Sequence, residues 1–254
     1  MDDSQAIRQI AAAEDEGAVF AVARAFFRTQ GFAALSYARP SRTDPGRSEV
    51  TSFGFPVEAR FGDLLAGSPV PYYLVPGNHD SPENRAALDA IPGVVVLDDE
   101  VVDIAGVRVL GVADPTFTAT NEVSTEAARA EKAALAEDVA ARVAETTPDV
   151  LAVHDRTQAA SAFGHVPLVV AGHLHERTDR EVEGSRLLTV GSTGATGLGS
   201  FAVETRRPYE AQVLRFREGR LVAIDYLTVQ GIGGDFTLER TLVRSEAASV
   251  SRGS

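Results

Sequence analysis

Residues 70–80 read Val70-Pro-Tyr-Tyr-Leu-Val-Pro-Gly77-Asn78-His79-Asp80. An apolar run of strand length stops at Pro-Gly and is followed at once by an amide, an imidazole and a carboxylate. Glycine permits a sharp turn off a strand end. In α/β folds, strand ends are where ligands and catalytic groups collect. The same arrangement recurs twice. Val150 to Val153 leads into His154, and Val166 to Val170 leads into Gly172-His173-Leu174-His175. The chain has five histidines, and four of them lie in these three places. Neutral imidazole is the commonest metal ligand, so the pattern points to a metal-dependent hydrolase. His165 precedes its strand and reads as a surface or structural histidine at the opposite end of the sheet.

Composition narrows the chemistry. The chain has 254 residues, 44% of them apolar and 24% charged, an ordinary soluble balance for one large domain or two small ones. Its net charge of −12 argues against a nucleic-acid-binding surface, which needs Lys and Arg to displace counterions. There is no Cys, so any metal must be held by nitrogen and oxygen ligands. The apolar stretch from Ala18 to Phe27 is too short to span a membrane and contains Arg24. The reading is a cytoplasmic chain with no membrane segment.

Periodicity organises the rest. Residues 1–50 are atypical: amphipathic helix over the first 35, then a polar linker rich in Pro and Gly. A regular domain is predicted over 51–245, and a small polar tail over 246–254. Within the domain, Pro56 to Ala66 reads as helix, and Ser81-Pro82-Glu83 as a helix start. Thr125 to Glu145 reads as a long outer helix. Strands are expected at 70–75, 94–97, 101–104, 107–112, 150–153, 166–170 and 187–190. Half-buried hairpin strands are expected at 211–217, 221–229 and 236–243, with turns at Ala105-Gly106 and Glu218-Gly219. Early strands alternate with helices and late strands come in hairpins. That predicts two β-sheets packed face to face with helices outside.

Each motif has its own chemistry. The Asn78 side-chain oxygen can ligate a hard or borderline cation. Asp80 stands beside His79, able to fix its tautomer and raise its pKa. In Gly172-His173-Leu174-His175, alternate residues of an extended segment point the same way, so both imidazoles can face one site. The Gly-rich run from Gly191 to Gly199 lacks the Lys of a P-loop and reads as a loop between strands.

In order and context these motifs resemble the calcineurin-like metallophosphoesterase superfamily, which carries G-N-H-D/E, a lone His and G-H-x-H, each at a strand end. The resemblance extends to Gly111-Val-Ala-Asp114-Pro115 and Gly191-Ser-Thr-Gly194, and covers roughly residues 52–243. It implies a four-layer α/β/β/α sandwich of two mixed sheets flanked by helices. It also implies a dinuclear centre of Mn, Fe or Zn that hydrolyses phosphomonoesters or phosphodiesters, with a small phosphate ester as partner. Carried over by motif, Asn78, His154 and His173 bind one ion and His175 the other. His79 stabilises the transition state or protonates the leaving oxygen, with Asp80 orienting it. Two ions together can clamp a phosphate and activate the attacking water. Longer relatives can carry a membrane tether.

The resemblance departs at the N-terminal side. The family's D-x-H and G-D motifs are missing, and no histidine precedes His79. Gly62-Asp63 falls too close to Asn78 and within a predicted helix. By context, Glu49 stands where the bridging aspartate would be. Either the first 50 residues are not the natural start of the domain, or one metal site has been lost. Two functions follow: a phosphate-ester hydrolase with an impaired first half-site, or an inactive binding or scaffold protein on the same fold.

Overall fold

The computed structural model describes residues 19–22, 71–78, 80, 82–115, 126–191, 208–230 and 235–243. In chain order the strands are β1 (Val19–Val22), β2 (Tyr72–Leu74), β3 (Val94–Val96), β4 (Glu100–Ile104), β5 (Val107–Val112), β6 (Val150–Val153), β7 (Leu168–Ala171), β8 (Thr178–Val182), β9 (Ser185–Thr189), β10 (Tyr209–Arg217), β11 (Arg220–Val229) and β12 (Phe236–Leu242). The helices are α1 (Pro82–Asp89) and α2 (Glu126–Thr146). A six-strand sheet runs β4-β5-β6-β7-β9-β8, a four-strand sheet β1-β10-β11-β12, and β2 pairs with β3.

The six-strand sheet is mixed. Its centre, β5-β6-β7-β9, is parallel, and the edge strands β4 and β8 are antiparallel. Strands buried on both faces read as continuous apolar runs; in β7, Leu168-Val-Val-Ala171, every residue is buried. The four-strand sheet is antiparallel throughout. One core lies between the two sheets. Val107, Val109, Val150, Leu168 and Leu188 of the first meet Leu214, Phe216, Ile224 and Tyr226 of the second. A second core lies on the other face of the six-strand sheet. There α2 presents Ala136, Val139 and Val143, one stripe at helical spacing, toward Leu110, Leu151 and Val169. Each fully buried aliphatic side chain contributes about 1.5–3 kcal/mol, so these layers hold each other. The result is the layered α/β sandwich expected, with α2 on one outer face.

Three two-residue hairpin turns among the described residues have glycine at the second position: Ala105-Gly106, Glu183-Gly184 and Glu218-Gly219, each with both φ angles positive. Two positive φ values match the right-handed twist of the flanking strands, and Gly at the second position makes the turn cheap.

Several elements differ from the sequence reading. Residues 19–22 fall within the predicted N-terminal helix, yet they form β1 and pair with β10. The run Val-Phe-Ala-Val has β-forming residues, and a neighbouring edge overrides its helical periodicity. β8 was not expected. Its sequence, Thr-Asp-Arg-Glu-Val, is a polar edge strand with no apolar alternation, and only the Glu183-Gly184 turn signals it. β12 was expected half-buried, but all seven residues are exposed, because it is the outermost strand of its sheet. The predicted helix over 56–66 and the tail over 246–254 lie outside the described residues. Among the described residues, no helix is long and apolar enough to cross a membrane.

Candidate metal centre

The parallel strands place their C-terminal ends along one edge, and the site is built there. The segment leaving β2 runs beside the segment leaving β5, joined by the Asp114 amide donating to the Pro76 carbonyl at 2.9 Å. Gly77 to Asp80 is a turn closed from both sides. The Asp80 amide donates to the Gly77 carbonyl at 3.0 Å, and the Gly77 amide donates to Asp80 Oδ2 at 2.7 Å. Asp80 is buried, and its Oδ1 has no hydrogen-bond partner among the described residues. His79 lies outside the described residues. Arg85 of α1 clasps the turn, donating to the carbonyls of Asp80 at 3.3 Å and Asp114 at 2.9 Å.

Three of the sequence-predicted residues converge. His154 Nε2 lies 2.8 Å from Asn78 Oδ1 and 3.1 Å from His173 Nδ1. The two imidazoles meet edge to face at 77°, their centroids 5.0 Å apart. Asn78 and His154 are 6% and 7% exposed, so bulk water does not screen them. His154 Nε2 presents a single lobe, either an N–H or a lone pair, to two neighbours at once. Adjacent ligands of a six-coordinate ion at about 2.1 Å are separated by about 3 Å. The two separations, 2.8 and 3.1 Å, are compatible with that edge length as well as with ordinary hydrogen bonds. An amide oxygen and two imidazole nitrogens suit borderline divalent ions, so the donor set fits a metal.

A carboxylate stands behind the trio. Asp155 Oδ2 is 3.9 Å from the far nitrogen of His173, Nε2. That is too long for a hydrogen bond, but the negative charge there attracts a proton on Nε2 through space. Asp155 is itself fixed as the cap of a 3₁₀ turn, Arg156–Ala159. It accepts from the Thr157 amide at 3.0 Å, and its own amide donates to Gln158 Oε1 at 2.8 Å. Gln158 is fully buried and donates on to the Ala113 carbonyl at 2.9 Å. The exits of β5 and β6 are thereby tied together. The spacing Asp155-x-x-Gln158 is a capping box, a signal the sequence carries but the reading above did not use.

His173 and His175 do not lie on an extended segment. Both have left-handed φ angles, 63° and 58°. The Leu174 amide donates to the Gly172 carbonyl at 2.8 Å across His173, the rarer and strained hand of γ-turn. Each such residue costs about 1–3 kcal/mol and persists only where its surroundings over-determine it. Alternation on a strand therefore does not aim these rings; a strained bend does. His175 follows in that bend, half-buried. His165 is exposed, as expected. Of the Gly-rich run, only Gly191 is described. A Cβ there would lie 2.6 Å from the Cβ of Glu210, so this strand end accepts only glycine without movement. Glu49 lies outside the described residues.

No family model matches the chain, and no curated protein does. Among solved structures, the chain is similar to a single mutant of Vps29 from Entamoeba histolytica, at 20% identity over 79% of this chain and 94% of that one, with a TM-score of 0.36. It is similar to an archaeal phosphodiesterase at 12% identity over 67% and 76% of the two chains, with a TM-score of 0.39. A Streptococcus pneumoniae protein described as a predicted phosphoesterase gives 8% identity over 73% and 90%, with a TM-score of 0.35. Likenesses this distant say nothing about reaction or partner.

Proposed function

We propose that this chain is a metallophosphoesterase-like hydrolase of phosphate esters, its metal held by Asn78, His154 and His173, with His175 serving a second ion. The observation that carries the reading is the convergence of Asn78 Oδ1, His154 Nε2 and His173 Nδ1 from three separate strand ends. A divalent ion bound there supplies charge to polarise a phosphoryl oxygen and lowers the pKa of a water. The protein's own residues do the rest. Asp155 orients His173, and the Gly77–Asp80 turn holds Asn78 toward His154. His79 protonates the leaving oxygen, with Asp80 beside it.

Two variants test this. His173→Ala is expected to lose Mn²⁺ in equilibrium dialysis. His79→Ala is expected to keep Mn²⁺ but lose turnover of bis(p-nitrophenyl) phosphate. Equal metal content and equal activity in both would sink the proposal.

A second reading, a single-ion binding module without turnover, is favoured by one observation. No histidine precedes His79, so the D-x-H motif that would furnish the first half-site is missing from the sequence. Elemental analysis after reconstitution with Mn²⁺ separates the two. Two ions per chain support the hydrolase, and one ion without turnover supports the module.

A further inference from the structure

The bend that carries His173 and His175 is strained, so something must hold it. Its start is fixed by the Gly172 amide, which donates to the His154 carbonyl at 2.9 Å. Its exit is fixed from the other sheet. Arg177, two residues after His175, reaches across to β10 and β11. Its Nε lies 3.3 Å from Glu210 Oε1, its NH1 donates to Thr228 Oγ1 at 3.1 Å, and its guanidinium lies 5.1 Å from the Tyr226 ring centroid. A guanidinium over a phenol ring gains from the ring's negative face. The intervening carbonyl of Glu176 accepts from Thr189 Oγ1 at 2.6 Å. Glu210 in turn is packed against Gly191.

We infer that Arg177 is a positioning residue: by bolting the exit of the His173–His175 bend to Glu210, Thr228 and Tyr226 of the four-strand sheet, it keeps His173 Nδ1 against His154 Nε2. This rests on the metal-centre reading above. None of these contacts touches the trio, so Arg177 acts only through the backbone of residues 173–176. The four-strand sheet thereby takes part in metal affinity without supplying a ligand. Outer supports of metal ligands are typically worth 10–100-fold in affinity.

The test uses the full chain and Mn²⁺ alone. R177M keeps the stem and removes the charge and the fork. It is expected to weaken Mn²⁺ binding at least about tenfold and to speed amide exchange at residues 173–176, while β10 and β11 exchange as in wild type. R177K is expected to recover part of the affinity, since a lysine can meet Glu210 but not Thr228 as well. If R177M does not fold, E210Q carries the same expectation. Wild-type affinity in a folded R177M overturns the inference, as does exchange that rises equally across both sheets. If the wild-type chain itself takes up no Mn²⁺, the metal-centre reading fails, and the exchange data still decide whether Arg177 holds the bend.

Discussion

The Asn78–His154–His173 cluster at the exits of β2, β6 and β7 and the Arg215–Asp225–Arg240 cluster on the four-strand sheet each centre on a buried polar residue, but they distribute protons differently. Around Asp225, every short contact pairs a donor with an acceptor. Arg215 Nε donates to Oδ2 at 2.9 Å, and Arg240 donates to Oδ1 at 2.5 Å and to Oδ2 at 2.9 Å. The hydrogen bond from Arg240, against the cost of burial and with help from Arg215, holds the Asp225 carboxyl below its ordinary pKa. Around His154, by contrast, two partners compete for one lobe of one nitrogen. A cluster that is complete in itself reads as structure. One whose lone pairs converge reads as a place for a cation. The difference lies in the proton inventory, since burial is alike at both centres.

That contrast can be broken by experiment. The largest expected effect is on stability. Asp225→Ala leaves Arg215 buried without its carboxylate and is expected to cost about 3–5 kcal/mol in urea unfolding, with Mn²⁺ affinity unchanged. A loss of metal binding would mean that the two clusters are not independent. His154→Ala is expected to weaken Mn²⁺ about 100-fold or more while apo stability stays nearly constant. A large apo destabilisation would make that cluster structural too.

Acid sharpens the comparison. Because the folded pKa of Asp225 is depressed, its stabilisation is present above the unfolded value of about 3.9. It is lost as pH falls through the lower folded value. The stability gap between wild type and Asp225→Asn is expected to close over that range and to be flat from pH 5 to 7. A gap that widens as the pH falls below that range would contradict the assignment. Asp155→Asn, which can still cap its turn, is expected to cost about tenfold in Mn²⁺ affinity. The smallest effect belongs to a surface pair. Arg142→Ala loses exposed contacts to Asp99 and Glu145 and is expected to leave the urea unfolding midpoint nearly unchanged.

Much of the sandwich was legible because buried parallel strands leave unbroken apolar runs and hairpins leave X-Gly turns. The long helix α2 was placed within a residue at each end for a similar reason, an Ala-rich run with an apolar stripe. What escaped were β1 and β8, where tertiary pairing, not composition, makes the strand. At the site, Asn78, His154 and His173 were legible from strand-end position. Asp155, Gln158, Arg85 and Arg177 were not, since nothing in a linear pattern says that a polar residue on one strand exit reaches the next. The bend at His173 and His175 was misread because left-handed backbone at a non-glycine residue leaves no trace in sequence.

The trio's place in the sheet also has a consequence for how the chain assembles. Its donors are separated by 76 residues, from Asn78 to His154, and by 19 more to His173. No local segment brings them together; the exit of β2, which pairs with β3, must meet the exits of β6 and β7 in the six-strand sheet. Pairings of such separation form late, after the loop-closure entropy has been met. Under the proposed metal-centre reading, an ion would then arrive at a finished edge and would not nucleate folding. In kinetic terms, Mn²⁺ should slow the unfolding arm of the chevron and leave the refolding arm where it was.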